Sequence, residues 1–333
     1  MSLRLVVCVE AGRLEGEALL LCGSLRRFGG RLAESPIVAY RPRRGPPLSR
    51  ETRAALAELG VALVEEELNV EHAFHPVANK VHAAAHAERE FGEESLAVLD
   101  SDAVILGEPD LLELAAGTDA AAAPVGKVSE GTTGPDDDNE PYWQGLYELA
   151  GVTDPPWIET ALRGARARGY WNSGLVAARR QAGVLGEWLE LFRRLLDEER
   201  LPPSGRIDNL DQIALALVLS RRPDRVATLP WPYNYRITRR GRYRDAAGSA
   251  ELAELVHVHY MRSFYVEGFL ERLDPPFDTT DERYAWLAER LPLEPRVRLD
   301  DDRPLSSRRI RRALRGDLRR RAVERPGDDR EGR

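Results

Sequence analysis

The first hundred residues alternate short apolar runs with amphipathic stretches, and that alternation sharply narrows the possible folds. Residues 3–9 read as a strand, wholly apolar and Val-rich from Leu5 on, as in a parallel sheet covered on both faces. Residues 17–28 follow as a helix with Ala18, Leu19, Cys22 and Leu25 on one side, stopped by Gly29 and Gly30. Residues 36–40 are a second strand. Ser49 caps a helix that ends at Gly60, residues 61–64 are a third strand, and 77–91 form an Ala-rich helix with Gly92 as its stop. A fourth apolar run, 96–99, comes next. Strands and helices at this spacing predict an α/β fold with a mostly parallel central sheet, right-handed crossovers and flanking helices. Ligands of such sheets bind outside the carboxyl ends of the strands. No Gly-x-Gly-x-x-Gly follows the first strand, so a dinucleotide-binding fold has no support.

Beyond residue 106 the pattern loosens. The expected helices are 108–114, 143–149, 157–163, 183–200, 208–221, 263–273 and 280–291, and the expected strands are 120–123, 170–179, 225–229 and 255–260. Residues 213–219 are apolar on every side, so that helix should be buried. Residues 126–142 form a long Gly-containing loop with an Asp136-Asp137-Asp138 run, expected to order around a ligand. The reading gives one catalytic domain over 1–295 and an Arg-rich tail over 296–333. Within the tail, 303–325 carries Ile310, Leu314 and Leu318 as a thin apolar stripe among arginines, a pattern that suits either a solvated, partly disordered tail or weak peripheral contact with an anionic membrane.

The 333 residues are 43% hydrophobic and 31% charged, enough for a substantial core. A net charge of -7 argues against general nucleic-acid binding. Cys8 and Cys22 lie in apolar segments and read as small buried hydrophobes, with no Cys-x-x-Cys or Cys/His zinc spacing. The apolar run at residues 5–9 is too short for a signal peptide, and no stretch reaches the ~20 apolar residues needed to span a bilayer, so a cytoplasmic location is expected.

The chemistry concentrates where the fourth strand ends. Asp100-Ser101-Asp102 separates the run at 96–99 from a second apolar run at 103–106. Two carboxylates one residue apart at a strand end are costly unless something neutralises them, and a hard divalent cation does so. Lys80 lies on the preceding helix and is one of only two lysines, with Lys127, in an Arg-biased chain. Tyr170-Trp171-Asn172-Ser173-Gly174 follows later. Gly there lets backbone approach a ligand closely, and Asn offers both a donor and an acceptor. Asp211-Gln212 opens a helix, whose first turn favours anions, and Asp208 is its expected cap. His257-Val258-His259-Tyr260 ends a strand, with both histidines on one face.

These motifs, in this order from about residue 3 to 264, resemble the nucleotide-sugar-dependent glycosyltransferases of GT-A fold, in particular the retaining enzymes of glycosyltransferase family 8. The resemblance implies a nucleotide-sugar donor, usually a uridine diphosphate sugar, and a divalent cation, Mn2+ or Mg2+. It implies that Asp100, Asp102 and a histidine hold the metal; His259-Tyr260 fits the motif best and His257 is the runner-up. Glu10 and Ala11 occupy the place of the nucleotide base and ribose. Lys80, Asp100, Ser101, Asn172, Ser173 and Gly174 would face the donor, and Asp211 and Gln212 the sugar and its anomeric carbon. Pro230, Tyr233 and Asn234 resemble a Leu-Pro-x-x-Tyr-Asn stretch of such enzymes. One departure stands out. The usual Gly and Lys-Pro-Trp after the histidine are replaced by Met261-Arg262-Ser263-Phe264, leaving Arg262 to offset the leaving diphosphate. Nothing in the sequence identifies the acceptor, whether glycan, lipid-linked glycan or small molecule.

Two other readings stay open at this point. Asp100 to Val104 also fits the nucleophile motif of haloacid-dehalogenase-type phosphatases, although that fold begins with this strand and three strand–helix units precede it here. An inactive GT-A domain that only binds nucleotide or glycan is the non-enzymatic alternative.

Overall fold

The computed structural model describes residues 2–299 and, beyond them, residues 310, 312 and 314. The alternation becomes β1 (Leu3–Cys8), α1 (Arg13–Phe28), β2 (Ile37–Tyr40), α2 (Arg50–Glu58), β3 (Val61–Val64), α3 (Ala78–Glu90) and β4 (Ser95–Leu99). Then come β5 (Ala103–Ile105), β6 (Ala120–Pro124), α4 (Glu140–Ala150), β7 (Trp157–Glu159), β8 (Arg166–Arg168), β9 (Trp171–Arg179), α5 (Val184–Asp197) and α6 (Leu210–Ser220). The described part closes with β10 (Val226–Thr228), β11 (Tyr235–Arg236), β12 (His257–His259) and α7 (Glu282–Ala288).

Seven strands form the central sheet in the order β10-β6-β9-β4-β1-β2-β3. β9 runs antiparallel to both its neighbours, β4 and β6, and the remaining pairings are parallel. Alternation of side chains along the strands feeds two cores. Leu5 and Val7 of β1 and Leu99 of β4 pack with Leu21 and Leu25 of α1 on one face. Val6, Leu96 and Val98 pack with α3, α5 and α6 on the other. Ile213 through Leu219 of α6 are fully buried, which is why that helix is apolar all round. A second sheet, β11-β12-β5, carries the third core, in which Val258, Tyr260, Phe264 and Tyr265 meet Leu287 of α7.

Several expected elements differ. Residues 108–114 hold only a single 3-10 turn, Asp110–Leu112. The stretch 157–163 is not helical: Trp157–Glu159 pairs antiparallel with Arg166–Arg168 as a hairpin, which suits its Ile and Thr. Residues 263–273 form two 3-10 turns instead of a helix, interrupted by Gly268 at φ 63. Asp208 does not cap α6. It sits in a 3-10 turn before it, its carboxylate 3.4 Å from Arg206, while Asn209 is the cap residue. The loop over 126–142 is tied down internally: Asp137 accepts from the Thr133 amide and hydroxyl, and Trp143 Nε1 donates to the Glu130 carbonyl.

Among the described residues no helix is long and apolar enough to cross a membrane. Apolar packing continues past Pro295, since Val297, Ile310 and Leu314 are buried in the third core. Two residues of the tail's apolar stripe therefore face the protein, and the rest of 303–325, apart from Arg312, lies outside the described residues.

Candidate active site

The chain leaves the central sheet at Leu99 and enters the second sheet at Ala103, so Asp100-Ser101-Asp102 is the corner between two sheets. The corner is pinned from both sides. The Asp100 amide donates to the Gly174 carbonyl at 2.9 Å, and the Ser101 hydroxyl donates to the Cys8 carbonyl at the end of β1 at 2.6 Å. Ser101 thus spends its side chain on holding the turn. Antiparallel pairing of β12 with β5 sets His259 opposite Ala103, and His259 Nε2 lies 3.1 Å from Asp102 Oδ1.

Ligand atoms of Asp100, Asp102 and His259 all lie within 4.8 Å of one another. Two carboxylates and an imidazole form a donor set suited to a borderline or hard divalent cation. His257 does not join them: it is fully buried opposite Ile105, and burial pushes its imidazole down to about 3. Gly174 lines the same space. A Cβ there would stand 2.8 Å from Asn172 Oδ1, 3.0 Å from Asp100 Oδ2 and 3.3 Å from His259 Cε1. The close neighbours of this glycine in the structure are the Asn172, Asp100 and His259 side chains.

The charges are organised in pairs. Lys80, buried on α3, places Nζ 2.7 Å from Asp100 and 3.0 Å from Asp211, and donates to the Ser173 carbonyl at 3.0 Å. Burial alone would lower the Lys80 ammonium, but the two carboxylates outweigh it and hold it above the usual range. Burial pushes the Asp102 carboxyl upward, and the His259 ring outweighs that and keeps it below the ordinary value. Burial and the neighbouring Asp102 raise the Asp100 carboxyl, which Lys80 only partly offsets. Burial depresses the His259 imidazole, yet Asp102 raises it overall.

A chain of amide contacts runs from the cluster to the start of α6. His259 Nδ1 is 3.2 Å from Asn234 Oδ1, and Asn234 Nδ2 donates to Asn172 Oδ1 at 2.7 Å. Asn172 Nδ2 donates to Gln212 Oε1 at 2.8 Å. Asn172 and Gln212, each expected to face the donor, are thus in contact with each other. Asp211 lies deeper, 2% exposed, accepting from Lys80 and the Ser173 hydroxyl. Asn234 occupies left-handed backbone, φ 57, as does Met261 at φ 59, and both stand beside the cluster.

One cavity opens past the end of β1 and another beside Asp102. The first, of about 340 Å3, is lined by Glu10, Ala11, Arg43 and Ala73; there Arg43 pairs with Glu10 at 2.5 Å and Asn79 donates to Glu10 at 2.6 Å. The other, of about 140 Å3, is lined by Asp102, Arg13, Met261, Arg262 and Ile310. Behind it Glu17 of α1 is buried, pairs with Arg13 and accepts from the Tyr265 hydroxyl at 2.7 Å. Burial, with Asp102 adding, pushes the Glu17 carboxyl up to about 8.

Sequence reasoning did not single out Arg13, Glu17, Arg43 or Asn79. Glu17 carried a signal, being a charged residue on the stripe Leu21, Leu25 and Phe28 that α1 buries. Arg43 carried none, because its loop reads as irregular and its partner Glu10 is reached only through the β1–β2 pairing.

The mostly parallel sheet, with an acidic corner at a strand end and a histidine delivered beside it by a second sheet, has the GT-A fold of its structural neighbours. Among solved structures the chain resembles WbbM, a bifunctional glycosyltransferase in its apo form, at 14% identity and TM-score 0.51, over 87% of this chain and 52% of that one. The chain thus spans about half the length of WbbM. It also resembles the galactosyltransferase LgtC, solved with donor and acceptor sugar analogs, at 12% identity and TM-score 0.50, over 86% of this chain and 96% of that one. At such identities the likeness is one of fold. No curated protein sequence matches. The family model for the Rhodobacterales glycosyltransferase domain matches residues 5–222, more than half of the chain, and the chain belongs to that family. Family and fold leave the phosphatase reading without support.

Proposed function

We propose that this glycosyltransferase moves a sugar from a nucleotide-diphosphate sugar, most simply a uridine diphosphate sugar, to a glycan-type acceptor, with a divalent cation and with retention of configuration. The observation that carries the reading is the convergence of Asp100, Asp102 and His259 within 4.8 Å at the carboxyl end of β4. When bound there, Mn2+ or Mg2+ supplies positive charge to the leaving diphosphate. The protein's own groups do the rest. Arg13 and Arg262 bring two guanidiniums to the cavity beside Asp102, where charge develops on the leaving group. Arg262 thus serves where the resembled family uses Lys. Glu10, fixed by Arg43 and Asn79, presents a rigid acceptor edge to base or ribose. Lys80 holds Asp100 and Asp211 in place and neutralises them. Gln212, oriented by Asn172, is the side chain assigned to the anomeric carbon, and Asp211, held by Lys80 and the Ser173 hydroxyl, is assigned to the sugar hydroxyls.

The test is release of nucleoside diphosphate from a panel of nucleotide sugars, with Mn2+ and with chelator. Turnover that needs the cation and disappears in Asp102→Asn supports the reading. Turnover that survives chelation removes the metal from it, and no turnover with any donor points to a domain that only binds.

A further inference from the structure

We propose that the surface beside the donor cavities, made by the β7–β8 hairpin and the segment after β11, binds the acceptor, and that the acceptor is an oligosaccharide bearing carboxylate or phosphate groups. The inference rests on the transferase reading above and adds the chemical class of its second substrate.

Charge is the first ground. The whole chain is acidic, at -7, yet residues 157–168 and 235–245 together carry seven arginines besides the buried Arg240, and only two carboxylates, Glu159 and Asp245. Both of those carboxylates are taken by Arg244, at 2.7 and 3.8 Å. Arg163 and Arg242 are exposed and have no carboxylate partner among the described residues, and the same holds for Lys127 on the adjoining loop. Exposed guanidiniums without counter-ions are poised for bidentate pairing with carboxylate or phosphate.

Continuity with the catalytic corner is the second ground. The Arg244 amide donates to the Leu162 carbonyl at 3.1 Å, which joins the two segments. The Ala161 amide donates to the Val125 carbonyl at 2.9 Å, which seats the hairpin on the end of β6. Arg236 pairs in register with His259 and reaches Met261 Sδ at 3.1 Å, and Met261 lines the cavity with Asp102. The basic surface is therefore continuous with the metal cluster through one strand.

An aromatic is the third. Trp157 is 38% exposed on the hairpin, with the guanidiniums of Arg166 and Arg168 4.2 and 4.1 Å from its ring centre. An exposed indole edge beside fixed cations suits a sugar ring that carries an anionic group.

The experiment titrates the full chain, without donor or metal, with a trimer of galacturonic acid and with maltotriose. The proposal expects the acidic trimer to bind about tenfold or more tighter than the neutral one, and to weaken as salt rises from about 50 to 300 mM. Arg163→Glu with Arg242→Glu should lower that affinity by about tenfold or more, and the Gln pair by less, with unchanged circular dichroism. Equal binding of both trimers, or binding insensitive to charge reversal, overturns the proposal. A third arm uses phosphatidylglycerol vesicles: flotation lost on charge reversal, with no trimer binding, would assign the surface to a membrane instead. Because donor and metal are absent, a failure here is distinct from a failure of metal-dependent transfer.

Discussion

Replacing Lys80 by Met tests the electrostatic logic of the site more directly than removing a metal ligand. Lys80 is 8% exposed and Asp211 2% exposed, and Nζ sits within 3.0 Å of the Asp211 carboxylate. Methionine keeps the stem's packing and deletes the charge. Asp211 is then a buried carboxylate with one hydroxyl partner, from Ser173. Breaking a buried pair this way costs about 3–5 kcal/mol, whereas a surface pair is worth roughly 0–1 kcal/mol. The Asp100 side chain is 27% exposed, so solvent screens it and most of the loss comes from Asp211. Urea denaturation followed by circular dichroism at pH 7.5 measures the loss. Adding Asp211→Asn should return about 2 kcal/mol or more, as coupled neighbours do. A loss under about 1 kcal/mol, or no recovery on adding Asp211→Asn, would refute the account of Lys80 as the counter-charge of this site.

Four further outcomes are expected. Asp102→Asn should cut metal-dependent turnover by on the order of a hundredfold or more while the unfolding midpoint stays within a few degrees, read by diphosphate release and calorimetry. Gly174→Ala should lower apparent Mn2+ affinity by roughly tenfold, because its Cβ would stand 2.8 Å from Asn172 Oδ1 and 3.0 Å from Asp100 Oδ2; unchanged affinity would show that the close approach is idle. His82 is 4% exposed and its imidazole is pushed by burial down to about 4 from 6.5. A histidine held neutral contributes stability that is present above the unfolded pKa and lost as pH falls from 6.5 toward 4, so wild type should lose up to about 3 kcal/mol there and His82→Leu distinctly less. The transferred sugar should keep its anomeric configuration by NMR of the first product; an inverted product would remove Gln212 from its assigned place.

The parts of this protein that the sequence announces are those built from local pattern. β1 through β4 follow from apolar runs between caps and glycines, and Ser49 does cap α2, accepting from the Thr52 amide. Asp100 and Asp102 are conspicuous because two carboxylates end an apolar strand, and Lys80 because lysine is scarce. What stays hidden depends on partners far away in the chain. Trp157–Glu159 carries the strand formers Trp and Ile, but three residues are too few to announce a strand until Arg166–Arg168 pairs with them. Arg43 matters because Glu10 is next to it across the β1–β2 pair, and Arg13 because residues after His259 fold back over α1. The choice between His257 and His259 could not be made from strand parity, since both share a face. Position along the strand decides it: His257 lies opposite Ile105 inside the core, and His259 opposite Ala103 at the corner.

That corner explains why the acidic tripeptide is flanked by apolar runs on both sides. Residues 95–99 belong to the central sheet and 103–105 to the second one, so the three residues between are the only link of this chain segment across the two cores. A strand that simply ended in a loop would leave two carboxylates free to diverge. Here Asp100 is fixed by the Gly174 carbonyl of β9, Ser101 by the Cys8 carbonyl of β1, and Asp102 by the Tyr260 amide, which donates to its carbonyl at 3.1 Å. Each anchor lies in a strand, or directly follows one, whose register is set by its own core. The geometry of the ligand cluster is thus a consequence of how two sheets pack, and His259, 157 residues away from Asp102, is delivered by the same pairing that closes the second sheet. Mutations in β5 and β12 should therefore act on the alignment of the cluster and on folding together, because Ala103 and Ile105 also pack in the core beside α1.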